Sequence, residues 1–163
     1  MVTMCDSSWG DCADHKSTGS YLVFFQGGVI DHSSFVPNLV ALSSAEAEIC
    51  AMTIAGMATN YFRQVLCDVL YDSPSRPLTI PILSDSQSGI HWTSSDKEVK
   101  TTRHIERRLS AIRLWVANGV LSVHFINGDE YNVADLGTKN CSSPANSYKL
   151  SIVEADLQAE SSS

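Results

Sequence analysis

"ALSSAEAEICAM", residues 41–52, sets two glutamates two positions apart in a run that is otherwise small or apolar. Residues two apart on a helix point to opposite sides. One carboxylate is therefore expected to face solvent and the other the interior. Placed at about 100° per residue from Ser44, Glu48 falls on one stripe with Ala51, Ala55, Ala58, Phe62, Val65, Leu66 and Val69. That stripe is the expected core face. Glu46 falls with Thr53, Asn60, Gln64 and Asp68 on the polar side. Ser43 and Glu46 also fit a capping box, with Ser43 as N-cap and Glu46 reaching back to the Ser43 amide. Capping is a sufficient role for Glu46. It leaves Glu48 without one, because a carboxylate on an apolar stripe is costly unless it is paired or bound to a metal.

The elements around this helix follow from the pattern of apolar residues. Residues 1–9 predict a short strand. "SYLVFFQGGVI" (20–30) predicts a strong strand entering a turn at Gly27-Gly28, and a third strand follows through residues 30–40, broken near Pro37. The long helix runs from Ser44 to about residue 71. "LTIPILSD" (78–85) predicts a buried strand with Pro81 as an awkward member, tolerable at a bulge or with its nitrogen turned from a partner. A short helix begins near Ser86. "TRHIERRLSAIRLWVANG" (102–119) predicts an amphipathic helix capped at Asn118-Gly119, "VLSVHFING" (120–128) a strand, and "NVADLGTK" (132–139) a last helical turn. The order β-β-β-α-β-α-α-β-α implies a mixed sheet with helices on its faces, an α/β class. From Cys141 the chain turns Ser-rich and ends in "QAESSS". The expected division is a domain over residues 1–140 and a flexible tail over 141–163.

A chain of 163 residues with 44% hydrophobic content suits one domain with a substantial core. It contains no run of eighteen apolar residues, so no membrane span is expected, and the start lacks the features of a signal peptide. Five cysteines, at 5, 12, 50, 67 and 141, form no CxxC pair. They point to reduced thiols in an intracellular compartment, against disulfides or structural zinc. A net charge of −7 taken alone disfavours a nucleic-acid partner. Yet "DKEVKTTRHIERRLSAIR" (96–113) holds Lys97, Lys100, Arg103, Arg107, Arg108 and Arg113, six of the eleven Lys and Arg. This block is either a solvated helix face or a phosphate-binding strip on an acidic protein.

Three further carboxylates occupy special positions. Asp6 interrupts the end of the first strand, Asp85 stands at the exit of "LTIPILSD", and Asp135 opens the last helical segment. Taken singly, each has an ordinary explanation: a turn residue for Asp6, a helix N-cap for Asp85, the third-position acid of a box with Asn132 for Asp135. Taken together with Glu48, they would repel one another strongly unless hard cations held them. Mg²⁺ prefers carboxylate and water oxygens, and two such ions about 4 Å apart suit phosphodiester cleavage.

The ordered stretches "DSSWGD…KSTGSYLVFFQGG…ALSSAEAE…LSDSQSGI…TRHIERR…NVADLGTK" resemble the ribonuclease H domain of copia-type LTR retrotransposon polyproteins. There they read roughly SDADWAGD, RKSTSGY, ALSSTEAEY, DNQSA, TKHIDIR and ADIFTK. The resemblance covers residues 5 to about 140, and its strength lies in six motifs in order. It implies a ribonuclease H-like fold, with a five-stranded mixed sheet of three antiparallel strands followed by two parallel ones. It also implies an endonuclease that hydrolyses the RNA strand of RNA–DNA hybrids with two Mg²⁺ ions, for which Mn²⁺ can substitute. Carried over position by position, Asp6, Glu48, Asp85 and Asp135 form the catalytic, metal-holding set. Glu48 fits the family glutamate better than Glu46, because Ala51 and Met52 follow it at +3 and +4. A reverse transcriptase domain upstream in the native polyprotein and a cytoplasmic virus-like particle are further implications, and the start so near Asp6 suggests a fragment.

Recognition of a hybrid should rest on backbone and groove shape. Candidate contacts are Lys97, Lys100, Arg103, His104, Arg107 and Arg108, with Lys16, Ser17 and Thr18 from the first turn and Ser86, Gln87 and Ser88 beside Asp85. Turn chemistry is the alternative for Ser17 and Thr18. Some positions depart from the family pattern. His32 replaces a tryptophan, and Phe35-Val36-Pro37 replace a Lys-Lys-Gln run, which would weaken or shift hybrid binding. Gly137 is expected to loosen the turn that carries Asp135. No histidine occurs in residues 125–134, so a product-release histidine is not assigned. The competing reading is a catalytically weak or inactive module that holds hybrid or docks a polymerase.

Overall fold

The computed structural model describes residues 1–70, 78–95, 101–139, 147–149 and 151. Lys97, Lys100, the expected boundary at residue 140 and most of the expected tail lie outside the described residues. The described chain forms β1 (Val2–Ser8), β2 (Thr18–Phe25), β3 (Gly28–Phe35), α1 (Ser44–Leu70), β4 (Ile80–Ser84), α2 (Gln87–Ser94), α3 (Arg103–Ala117), β5 (Leu121–Phe125), a four-residue turn of helix α4 (Gly128–Tyr131) and a 3-10 turn, η1 (Val133–Gly137). The sheet order is β3-β2-β1-β4-β5. β1 to β3 are antiparallel neighbours, while β4 runs parallel to both β1 and β5. This is the expected mixed sheet.

The β2–β3 turn is one residue earlier than its sequence suggests. Gln26 and Gly27 carry the positive φ angles, 51° and 89°, of a tight hairpin, and Gly28 already belongs to β3. Pro81 is accommodated as the second residue of β4. Ile80 N donates to Val120 O, so the next nitrogen along the strand faces β1, where pairing begins only at Ile82. β3 ends at Phe35, before Pro37.

One face of the sheet carries the core. Cys5, Ile80, Ile82 and Leu121 meet Ile49, Cys50, Met52 and Ala55 of α1 and Ile105, Leu109 and Ile112 of α3. The α3 residues recur at i, i+4 and i+7, as a single packed stripe requires. The reading of α1 as a one-sided helix does not hold. Residues 45–53 are all buried, Glu46 and Thr53 among them. This half of α1 lies between the sheet and helices α2 and α3, which close over its outer side. Further along, the covering ends, and Val65 and Val69 of the expected core stripe are exposed, as are Met57 and Tyr61. A wheel assumes one apolar side along the whole helix; here the sides change with the neighbours.

Candidate active site

β1 and β4 are parallel and end at the same edge of the sheet. Functional groups at such an edge share one rim. Odd-numbered residues of β1 face α1: Thr3 Oγ1 lies 2.7 Å from Thr59 Oγ1, and Ser7 Oγ donates to Glu48 Oε1 at 2.8 Å. Alternation along the strand turns Asp6 to the opposite side, toward η1, where the Thr138 hydroxyl donates to Asp6 Oδ2. Asp85 follows β4 directly. It is not the cap of α2; Ser86 is, its Oγ accepting from Gly89 N at 3.1 Å.

Asp135 is positioned by the sheet through η1. The buried Asn132 side chain donates to Cys5 O at 3.2 Å and accepts from Ala134 N at 3.3 Å. Ser20 Oγ donates to Ala134 O, and Ser34 Oγ to Gly137 O at 2.6 Å. A Cβ on Gly137 would come within 2.5 Å of Ser20 Cβ. Gly137 therefore lets η1 sit tightly on β2 and β3, the reverse of the loosening expected from its sequence position. Asp135 does not serve as a box acid with Asn132; Lys139 and Lys149 take its two oxygens.

Carboxylate oxygens of Asp6, Asp85 and Asp135 lie within 4.8 Å of one another. Glu48 stands outside that trio on the α1 side of β1, close enough for the charges of Asp6 and Asp85 to act on it. Burial first, then the charge of Asp6, pushes Glu48 up to about 8. Burial, then the Asp135 and Asp85 carboxylates, pushes Asp6 up to about 7 against the Thr138 hydrogen bond. Asp85 is raised by burial and by Asp135. Burial also acts upward on Asp135, but hydrogen bonds from Lys139 and Lys149 outweigh it and hold that carboxyl below its ordinary value. Burial first, and then the crowding of like charges, favours the protonated forms of Asp6, Glu48 and Asp85.

The donor set fits hard divalent cations. It is all oxygen, and Glu48 Oε2 is buried without a hydrogen-bond partner among the described residues. An orphaned carboxylate oxygen beside three crowded carboxylates is a site that a cation would complete. Asp6, Asp85 and Asp135 could hold an ion directly, with Glu48 adjoining.

Glu46 is also buried, with 5% of its surface exposed. Its Oε2 accepts from Leu42 N at 2.8 Å and its Oε1 from Thr102 N at 3.4 Å, while Ser43 Oγ accepts from Glu46 N at 3.2 Å. The capping relation holds from the Ser43 side, but the carboxylate reaches one residue further back and also ties down the start of α3. This second acceptor role, to Thr102 N, is what draws Glu46 out of solvent.

The expected nucleic-acid contacts fall in three places. Arg103, His104 and Arg107 are exposed on the first turns of α3, and Arg108 is half-buried. Arg113 belongs to the packing, with Nε and Nη2 on Trp92 O at 3.1 and 2.7 Å. In the β1–β2 turn, Lys16 pairs with Asp14 at 2.6 Å, Ser17 is buried and accepts from Gly10 N, and Thr18 donates twice to Asp11. Turn chemistry thus employs Ser17 and Thr18. Gln87 and Ser88 are exposed beside Asp85. Sequence reasoning missed Lys149, from the stretch read as tail: it is 1% exposed and lies against Asp135. A lone lysine in a Ser-rich stretch carries no periodic signal that could have marked it.

No family model matches the chain. The retrovirus-related Pol polyprotein from transposon TNT 1-94 of Nicotiana tabacum is 33% identical over 141 residues, 86% of this chain and 10% of that protein. The transposon Ty1-NL2 Gag-Pol polyprotein of Saccharomyces cerevisiae is 28% identical over 151 residues, 92% of the chain and 8% of the polyprotein. The chain thus spans about a tenth of the length of these relatives. Among solved structures, LC11-RNase H1 isolated from compost superposes with a TM-score of 0.58 at 12% identity, covering 98% of this chain and 96% of that one. The N-terminal RNase H domain of rv2228c from Mycobacterium tuberculosis gives 0.57 at 11% identity, covering 97% of each. The RNase H domain of PFV gives 0.53 at 11% identity, covering 97% and 94%. The chain is homologous to one segment of retrotransposon Pol and Gag-Pol polyproteins, and it has the ribonuclease H fold.

Proposed function

We propose that the protein is a divalent-metal-dependent endonuclease that hydrolyses the RNA strand of RNA–DNA hybrids, the activity a reverse-transcribing element needs to clear its template. The observation that carries this reading is the convergence of Asp6, Asp85 and Asp135 within 4.8 Å, with Glu48 adjoining and one of its oxygens orphaned. The fold supports it, since LC11-RNase H1, with a TM-score of 0.54 to this chain, has been solved in complex with an RNA/DNA hybrid.

The four carboxylates would hold two Mg²⁺, or Mn²⁺, ions. The chemistry such ions supply when bound is activation of water for in-line attack on phosphorus and stabilisation of the departing 3′ oxygen. The residues of the chain do the rest. Asp6 and Asp135 are fixed by Thr138 and by the η1 anchors, so their oxygens are preorganised before any substrate arrives. Ser7 fixes one oxygen of Glu48 and leaves the other free to bind. Arg103, His104 and Arg107 offer exposed charge and hydrogen-bond donors to the phosphate backbone. A reverse transcriptase domain would precede this segment in a longer polyprotein. The free thiols of Cys5, Cys12, Cys50 and Cys67 suit a reducing compartment, such as a cytoplasmic particle.

The test is direct. Mg²⁺ and a labelled hybrid should yield RNA fragments with 5′ phosphates, and Asp85→Asn should abolish them. Equal cleavage by that variant would sink the mechanism. A second reading, a weak or inactive hybrid-binding or polymerase-docking module, draws support from one observation: both oxygens of Asp135 are paired with lysines. Mn²⁺ binding measured by calorimetry separates the two readings, because only the nuclease requires it.

A further inference from the structure

The two lysines on Asp135 are not equivalent. Lys139 Nζ lies 2.6 Å from Oδ1, and its side chain is 54% exposed. It can swing into water at little cost, as exposed ion pairs do. Lys149 Nζ donates to Oδ2 of the same carboxylate and, at 2.6 Å, to Gly128 O, and its side chain is 1% exposed. Moved off Asp135 while still buried, this ammonium would lose its counter-charge. It can depart only together with its backbone. That backbone is the short helical stretch at residues 147–149, whose flanking Ser147 and Tyr148 are exposed.

Gly128 brings the second carboxylate into range. A Cβ there would run into the Asp85 carboxyl group, so an ammonium bound to the Gly128 carbonyl stands beside Asp85 as well as Asp135. Lys149 therefore offers positive charge to two of the three clustered carboxylates, Asp135 and Asp85. A divalent ion using Asp135 Oδ2 and Asp85 would meet this charge at close range. Exchange of one cation for the other removes the repulsion, and the burial of Lys149 makes that exchange a movement of the segment.

We propose that Lys149 is a built-in cation of the acidic cluster: it competes with divalent metal for Asp135, and loading the site releases residues 147–149. This rests on the reading that the cluster binds divalent ions, and it makes the short helical stretch that carries Lys149 a metal-responsive strap.

The experiment uses the full 163-residue chain. Mn²⁺ is titrated by calorimetry into the wild type and Lys149→Met, with circular dichroism to show that both are folded. Amide hydrogen exchange of residues 147–149 is followed in the wild type with and without saturating Mn²⁺. The expected results are affinity at least about ten-fold tighter in Lys149→Met, equivalent to about 1.4 kcal/mol, and faster exchange of the segment in the loaded wild type. Equal or weaker affinity in the folded variant overturns the proposal, and so does unchanged or slower exchange on loading. The exchange measurement needs no variant, so it decides even if Lys149→Met fails to fold. If both proteins bind Mn²⁺ equally, the strap fails and the nuclease reading stands. If neither binds, both fall.

Discussion

Ser7 Oγ on β1 donates to Glu48 Oε1 on α1 at 2.8 Å, and the other oxygen of Glu48 is buried without a partner among the described residues. Glu46, two residues earlier and equally buried, has both oxygens engaged by backbone N–H groups. The two glutamates therefore respond oppositely to removal of charge. Glu46→Gln weakens the hold on Leu42 and Thr102 and should cost about 1–2 kcal/mol, seen as a lower melting temperature with Mn²⁺ binding retained. Glu48→Gln keeps the Ser7 contact and removes a repelled charge. It should raise the melting temperature in EDTA at pH 8 and abolish hybrid cleavage. A Glu48→Gln protein that melts lower in EDTA would contradict this account.

The pH dependence of the metal-free protein has a definite sign. Glu48 is pushed from 4.5 up to about 8 and Asp6 from 3.8 up to about 7, in both cases chiefly by burial. Between the unfolded and folded values the native state holds protons that the unfolded chain has released. Raising the pH through that window therefore favours unfolding. Asp135, held low by its lysines, acts in the opposite sense, and its contribution fades only as the pH falls below its ordinary 3.8. Thermal melts in EDTA should show stability falling steadily from about pH 5 to pH 8, and saturating Mn²⁺ should flatten the curve by supplying the charge that protons otherwise supply. A metal-free protein that grows more stable over this range would rule out the crowded-carboxylate picture.

Gly137 gives a packing test. Its missing Cβ allows η1 to lie against Ser20 and Ser34. Gly137→Ala should push η1 off the sheet at a cost of about 1–3 kcal/mol and displace Asp135 with it. Both the melting temperature and Mn²⁺ affinity should fall. A variant with normal affinity would show that Asp135 is held independently of this contact.

These residues also mark how far the sequence could be read. The strands, helices α1 to α3 and the rim positions of Asp6, Asp85 and Asp135 follow from local periodicity and from acids placed at element ends, both of which are short-range signals. What escaped is long-range. Glu46 is buried because Thr102 arrives from 56 residues away. Val69 is exposed because, among the described residues, no element covers the end of α1. Lys149 matters only because the chain returns it to Asp135. Gly137 tightens rather than loosens its turn for the same reason, since its neighbours Ser20 and Ser34 are more than a hundred residues earlier.

The basic start of α3 yields the last prediction. Arg103 and Arg107 are exposed one helical turn apart, whereas Arg113 is committed to the Trp92 carbonyl. If the exposed pair meets phosphates, each contact releases counterions when it forms. In an Asp85→Asn background that prevents turnover, hybrid affinity measured between about 50 and 200 mM salt should follow a log–log line. Arg103→Ala with Arg107→Ala should make its slope shallower by about 2, roughly one per lost contact. Arg113→Ala should lower the melting temperature and leave the slope unchanged, because its guanidinium joins α3 to α2. A double variant with the wild-type slope would place the hybrid on another face of the molecule.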